Sequence, residues 1–281
     1  MAANFTVGTD NYLFSRDSLA TGRLTAQHFL ILRRSGWHLH PDIAVKVHGR
    51  KKLTIADVAC GNGIWALDMA RDYPQAHFTG IDISPQQFPP KFTWPRNVTM
   101  ETYDIFQPMP DRYIGRFDIV HVRFIMGAVY SQNKNWVLQN ILKLLKPGGF
   151  IQWTDATVPL LHVLSDPLQP LGQFRQPPAI EAPLASIFSP TEWLRRLADE
   201  FQQHGLINTR AIDLPPVPWL SKQETDNAIW ALTDIHEGLK VRLGKEVAAR
   251  FGAAVQETLE EIRHGRVYFA TYYMAIGQKP G

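Results

Sequence analysis

The chain has 281 residues, 45% of them hydrophobic and 20% charged, with a formal net charge of +3. This length suits one large α/β domain with additions or two small domains, and so small a charge gives no argument for nucleic acid as a partner. No run of about 18 uncharged apolar residues occurs, so no membrane span is expected, and the single cysteine, Cys60, excludes an internal disulfide and a cysteine-built metal centre.

Residues 1–50 precede the first expected strand and carry polar and aromatic residues. The stretch Met1 to Thr6 lacks a basic region followed by an apolar core, so a cytoplasmic protein rather than a secreted one is expected. A helix is expected from about Ser18 to Ser35, with Leu24, Phe29, Leu30 and Leu32 on its packed face and Gly36 as its stop. Lys46, His48, Arg50, Lys51 and Lys52 form a basic cluster that reads as a solvated loop. Over residues 51–155 short apolar strands alternate with helical stretches. The strands are expected near 53–59, 77–83, 98–103, 117–123 and 149–154, and helical crossovers between them imply a mainly parallel sheet.

Residues 156–190 break that rhythm. Pro159, Pro167, Pro170, Pro177, Pro178, Pro183 and Pro190 disfavour any continuous strand or helix, and such a segment reads as a lid or substrate loop. The remainder, 191–281, resumes order. Ser189-Pro190-Thr191-Glu192 reads as a capping box, opening a helix that buries Trp193, Leu194, Leu197 and Phe201 and ends at Gly205. A strand near 207–214 follows, then helices at about 222–241 and 246–263 within an insertion at about 219–264, and a last strand from Val267 to Gly277.

The most informative stretch runs from Ile55 to Trp65: a short strand ending near Asp57, then Gly61 and Gly63, then a helix-forming run. The glycines let backbone approach a ligand, since no Cβ intervenes. Asp82 ends the second strand, 25 positions after Asp57, where a carboxylate can accept from both hydroxyls of a ribose. Asp104, followed by Ile105 and Phe106, can accept from an exocyclic amine while apolar neighbours sandwich a base. The fourth strand delivers His121 and Arg123 to its C-terminal end, and Lys146-Pro147-Gly148-Gly149 forms a tight turn into the fifth. A nicotinamide enzyme is the rival, because Gly61, Gly63 and Ala66 also fit Gly-x-Gly-x-x-Ala; Asp57 argues against it by placing negative charge near a pyrophosphate.

Taken in this order, these features resemble the class I S-adenosylmethionine-dependent methyltransferases. The phrases Arg23-Leu24-Thr25-Ala26-Gln27-His28, Gly63 to Ala70, Asp82-Ile83-Ser84-Pro85-Gln86 and Ile151-Gln152-Trp153 resemble small-molecule methyltransferases of fungal secondary metabolism, including regulator-like members. The resemblance covers roughly residues 12–155. It implies a Rossmann-like α/β fold, with a seven-stranded, mostly parallel sheet and an antiparallel last strand. Ala59 stands where the family commonly has a glycine, a change of one methyl, and Thr154 stands where an acid is common, with Asp155 following.

The implied cofactor is S-adenosyl-L-methionine. Asp57, Ala59, Gly61, Gly63, Trp65, Asp82, Ile83, Asp104, Ile105, Tyr12, Arg23 and His121 are the expected cofactor-binding residues, and the N-terminal segment is expected to fold over the cofactor. The candidate bases are His121, Asp155 and His28, with Asp234 and His236 behind them. His38 and His40 have no third ligand pattern and read as turn residues, so no metal is expected. Trp219, Trp230, Phe174 and Phe188 suggest an apolar or aromatic small molecule as acceptor, methylated at a hydroxyl or a nitrogen. The alternatives keep the cofactor without methyl transfer, as in a cyclase or isomerase, or make the chain a regulator acting through partners.

Overall fold

The computed structural model describes residues 12–131, 133–164 and 179–281. Seven strands, β1 (Thr54–Val58), β2 (His77–Asp82), β3 (Val98–Thr102), β4 (Phe117–Arg123), β5 (Leu145–Leu164), β6 (Ile207–Asp213) and β7 (Val267–Gln278), form one sheet in the order β3-β2-β1-β4-β5-β7-β6. β7 runs antiparallel to both its neighbours and every other pairing is parallel. The expected mostly parallel, Rossmann-like sheet with an antiparallel last strand is the one that forms. Its helices are α1 (Ser18–Ser35), α2 (Pro41–Val47), α3 (Ile64–Asp72), α4 (Lys134–Lys143), α5 (Glu181–Phe188), α6 (Leu197–Gln203), α7 (Ser221–Arg242) and α8 (Lys245–Arg263). One core cluster packs α2 and α3 on one sheet face, a second packs α4 and α6 on the other, and a third joins α5, α7 and α8 over the first half of β7.

Helix α1 starts and stops where its caps dictate. The Asp17 carboxylate accepts from the Ala20 amide at 2.9 Å, and Gly36, left-handed at φ +80°, donates to the Leu32 carbonyl at 2.8 Å. Its buried face differs from the expected one. Ala20, Arg23, His28, Ile31 and Arg34 are buried, whereas Phe29 is 46% exposed and Leu24 and Leu30 line a cavity. The helix therefore packs a polar stripe inward, because it lies against a ligand-sized space and α7 rather than against an oily layer.

Three further expectations are corrected. β5 does not stop near residue 154: beyond an irregularity after Ala156 it continues to Leu164, pairing Leu161 with Ala270 and Leu164 with Val267, because the long last strand supplies a partner for its backbone. Residues 189–196 form a 3₁₀ helix capped at Phe188 without a side-chain cap, so the capping box is not built, although Trp193, Leu194, Leu197 and Phe201 are buried as expected. Finally, Lys146 to Gly149 is a bulge at the entry of β5, where the Lys146 ammonium meets Asp118 at 2.7 Å and a Cβ on Gly149 would sit 3.0 Å from two carbonyl oxygens. It lies at the sheet end away from the cavity.

Arg34 binds these layers together. Its Nε donates to the carbonyls of Leu214 and Pro215 at 2.8 and 2.9 Å, and its Nη1 donates to the Ala270 carbonyl at 2.7 Å and faces Glu224 of α7 at 3.3 Å. Both side chains of this pair are nearly inaccessible, so removing one partner strands the other charge out of water. Arg34→Met is expected to lower the unfolding free energy by about 3–5 kcal/mol in denaturant melts; a loss below about 1 kcal/mol, as for a surface pair, would refute the tie.

Candidate active site

The chain visits β2 and β3 on one side of β1, then crosses to β4 on the other. The sheet order reverses between β1 and β4, and a crevice opens beyond their carboxyl ends, where open α/β sheets bind ligands. A cavity of about 690 Å³ occupies that place, within the size range of small-molecule and cofactor sites.

The loop after β1 forms its floor. Ala59, Gly61 and Gly63 take φ of +54°, +56° and +72°. A Cβ on Gly63 would lie 2.2 Å from Cε of Met100, so this glycine serves helix-to-sheet packing; one on Gly61, which lines the cavity, would lie 3.0 Å from Leu24. Asn62, which the sequence did not single out, ties the loop to α1: its amide nitrogen donates to Thr21 O and Thr25 Oγ1 at 3.2 and 2.9 Å, while its oxygen accepts from the Ile64 amide at 3.2 Å. Ala59 is more than one added methyl, since it holds a left-handed backbone that an L-residue adopts at a cost of about 1–2 kcal/mol. Glycine there gives back about 0.5–1 kcal/mol in chain entropy. Ala59→Gly should therefore stabilise the fold by about 0.5–1 kcal/mol in denaturant melts, and a destabilised variant would contradict that backbone assignment.

Three of the carboxylates that line the cavity stand at or just beyond the ends of three different strands. Asp57 closes β1, is 3% exposed, and holds the His121 Nδ1 at 2.8 Å with one oxygen; the other oxygen is buried without a partner. Asp82, at the end of β2, accepts from the Gly61 amide at 2.8 Å and the Ser84 amide at 3.0 Å, and burial pushes its carboxyl up against the pull of those two bonds. Asp104, beyond β3, accepts from the Phe106 amide at 2.9 Å. Ile83 and Ile105 stand beside these acids in the cavity wall.

Residues 56–151 match the family model of a methyltransferase domain. The chain is 38% identical over 107 residues to the N-methyltransferase verN of Clonostachys rogersoniana, across 38% of this chain and 37% of that protein. It is 37% identical over 141 residues to the N-methyltransferase tcpN of Claviceps purpurea, across 49% of each. The chain thus spans about half or less of the length of these relatives. Its fold is similar to that of the phosphoethanolamine N-methyltransferase 2 of Haemonchus contortus in complex with S-adenosyl-L-methionine, with a TM-score of 0.54 and 15% identity over 93% of this chain and 57% of that one. Residues 56–151 thus carry a methyltransferase domain.

Around this methyltransferase domain, His28 and His121, the histidines expected from sequence as bases, lie behind the cavity wall. The parallel register sets Asp57 opposite His121 and His121 opposite Gln152. Because Asp57 only accepts, the His121 proton sits on Nδ1; the ring stacks on Trp65 at 3.7 Å between centroids, and burial lowers its pKa. Trp65 is a core residue at 3% exposure, as is the fully buried Trp153. His28 is 1% exposed; its Nε2 meets Asp68 at 3.1 Å and its Nδ1 faces the Arg123 guanidinium at 3.3 Å. His38 shares the same Asp68 oxygen at 3.3 Å, whereas His40 caps α2 through its ring nitrogen. His28, His38 and Asp68 have the spacing of a metal trio. Their proton placement is that of a hydrogen-bond relay, however: with Arg123 donating to Nδ1, the His28 proton must sit on Nε2, the atom a metal would need.

Asp155 is also a wall-builder. It is fully buried and accepts from the amides of Ile125, Met126 and Ala156 and from the Trp153 indole, at 3.0 to 3.3 Å. It thereby holds the loop after β4, in which Phe124 takes a left-handed φ of +57° for which the sequence carries no signal. Burial raises the Asp155 pKa to about 6, so the folded protein keeps this proton to higher pH than the unfolded chain does. The stabilisation is complete below about pH 4 and lost as pH rises through about 6. The stability difference between wild type and Asp155→Asn should accordingly shrink by about 2 kcal/mol between pH 4.5 and about 7; a difference constant with pH would rule this out.

The N-terminal strap closes one side. Tyr12, Phe14, Arg16 and Arg23 line the cavity. Leu13 lies so close to α7 that a Cβ on Gly238 would fall 1.9 Å from its carbonyl oxygen, and the Ser15 amide donates to Asp234 at 2.9 Å. Asp234 therefore anchors the strap, and His236 packs beside Phe251. The opposite end of the cavity is apolar, with Leu161, Leu184, Phe188, Leu232 and Ile235, interrupted by Glu224, Asn227 and Tyr272, which sequence reading missed. Trp219 is 68% exposed, Trp230 packs against Gly22, and Phe174 lies outside the described residues.

Proposed function

We propose that the protein is a cytoplasmic S-adenosylmethionine-dependent methyltransferase, of the EC 2.1.1 type, that methylates a nitrogen of an apolar small molecule of secondary-metabolite type. The observation that carries this reading is the row of three strand-end carboxylates along one wall of a cavity whose far end is apolar. The row suits a cationic cofactor and not a dinucleotide. An acid with an unpartnered buried oxygen, Asp57, stands where a pyrophosphate would place negative charge, whereas an ammonium and a sulfonium are attracted by it. S-adenosylmethionine supplies, when bound, a methyl group on a sulfonium that a nucleophile can displace in line.

The chain's own residues then bind and orient. Asp57 accepts from the amino group with its free oxygen, Asp82 accepts from the two ribose hydroxyls, and Asp104 accepts from the exocyclic amine while Ile83 and Ile105 flank the base. Ala59, Gly61 and Gly63 shape the floor; Trp65 and His121 act from behind, by holding Asp57. Residues 1–50 act as a cap whose Tyr12 and Arg23 exclude water, while Leu161 of β5, Leu184 and Phe188 of α5 and the helices within 219–264 select the acceptor. Alignment of nucleophile, methyl and sulfur is the main contribution of such a site.

The nitrogen assignment follows from where the bases are. Among the described residues no histidine lines the cavity. His121 and His28 are engaged behind its wall, and the Asp155 oxygens are occupied by four donors. A hydroxyl needs a base to take its proton, whereas a neutral amine attacks with its lone pair and releases the proton to water afterwards. The N-methyltransferases verN and tcpN agree with this reading.

Incubation with labelled S-adenosylmethionine and a panel of apolar amines should form S-adenosylhomocysteine only when an acceptor is present. Tight cofactor binding with no turnover on any amine, or turnover confined to hydroxyl acceptors, would sink the nitrogen reading. Asp82→Ala should weaken S-adenosylmethionine binding by about tenfold to a hundredfold in calorimetry, as expected for lost hydrogen bonds to a charged group; unchanged affinity would remove the ribose from Asp82.

A further inference from the structure

Two arginines point inward from neighbouring elements, and the structure treats them in opposite ways. Arg34 is satisfied by three backbone carbonyls and a carboxylate. Arg123, at the C-terminal end of β4, has no carboxylate within 4.0 Å among the described residues. Its two terminal nitrogens converge instead on one acceptor, His28 Nδ1, at 3.3 Å each. A guanidinium carries five N–H donors, so most of this one's capacity is left over, and Arg123 lines the cavity.

The partner is a neutral one. His28 is nearly inaccessible, and burial together with the adjacent guanidinium lowers its pKa to about 4, leaving an imidazole that accepts at Nδ1 and donates from Nε2 to Asp68. The Asp68 oxygen is also held by His38, and Arg71 reaches its other oxygen at 3.5 Å. The relay therefore fixes where the guanidinium points without neutralising it. An arginine placed in a low-dielectric wall and hydrogen-bonded only to a neutral acceptor keeps unfilled donors, which match an anionic ligand group even with the Asp57 charge nearby. On the adjacent strand, paired with His121, Asp57 presents a buried carboxylate oxygen with no partner.

We propose that Arg123 is the anchor for a ligand carboxylate in this cavity, with His28 and Asp68 as the residues that position it. The shared chemistry is a carboxylate, supplied either by the amino-acid end of the cofactor or by an acid group on the acceptor. The assignment rests on the cofactor reading above.

Calorimetry with S-adenosylhomocysteine and with 5′-methylthioadenosine, which lacks the amino-acid end, separates the sources. If the cofactor supplies the carboxylate, Arg123→Gln weakens S-adenosylhomocysteine by about tenfold to a hundredfold and leaves 5′-methylthioadenosine unchanged. His28→Ala moves the same ratio in the same direction, and His28→Asn, which keeps an acceptor, restores part of it; thermal melts confirm that each variant is folded. If the acceptor supplies it, both nucleosides bind Arg123→Gln normally, while wild type loaded with S-adenosylhomocysteine binds phenylacetate more tightly than phenylacetamide and the variant loses that preference. The proposal is overturned if Arg123→Gln keeps wild-type affinity for S-adenosylhomocysteine and the loaded wild type shows no preference for phenylacetate. It is equally overturned if both nucleosides weaken together. Wild type that binds neither nucleoside defeats the cofactor reading itself, whereas normal wild-type binding, an indifferent Arg123→Gln and no preference for phenylacetate together defeat only this assignment.

Discussion

The hydrogen bond between Asp57 and His121 is the contact on which the site depends. It exists because β1 and β4 lie side by side in parallel with those two residues in register, at the point where the strand order reverses. One carboxylate oxygen is fixed by the imidazole, so the other is held out as a bare acceptor. The imidazole is in turn held flat by Trp65 from α3. A neighbouring row position, Gln152, accepts from the His40 amide at 2.7 Å and donates to the His38 carbonyl at 3.0 Å, tying the segment between α1 and α2 to the same polar row. A shift of one residue in the pairing would turn Asp57 and His121 to opposite faces of the sheet and dissolve this arrangement.

Buried charge is handled by two rules, and the difference separates scaffold from site. Arg34 and Asp155 are each surrounded by several complementary groups and leave nothing for a ligand. They organise walls: Arg34 joins α1 to α7 and β7, and Asp155 sets the loop that carries Phe124 to Met126. Asp57 and Arg123 are only half served, and both face the cavity. A polar group left short of partners inside a protein costs stability, and the cost is recovered when a ligand completes the set.

The strand pattern was legible because parallel strands buried on both faces read as continuous apolar runs, and all seven form where expected, β5 alone running ten residues past its expected end. The three acids were legible because each closes a strand, a place that topology turns toward the crevice. The packed face of α1 was not. Helical spacing marks Leu24, Phe29, Leu30 and Leu32 as an apolar stripe, yet the buried stripe holds Arg23, His28 and Arg34, whose partners come from residues as far away as Ala270. The extension of β5 was hidden for a similar reason: its proline content argues against a strand, and only the length of β7 provides the partner that sustains it. The Lys-Pro-Gly-Gly turn carries the family's likeness without touching the cavity.

By itself, then, the sequence determined the order of elements, the mostly parallel sheet, the glycine turn and the strand-end acids. These follow from local periodicity and from residues whose backbone or charge permits few alternatives. Tertiary structure alone decided the proton roles and directions of the histidines, the anchoring of the strap by Gly238 and Asp234, and which arginine is satisfied and which is left open. Those properties depend on what a side chain meets across the fold. Asp68 and Arg123 stand 40 and 95 positions from His28 along the chain, and each lies within hydrogen-bond reach of it in space.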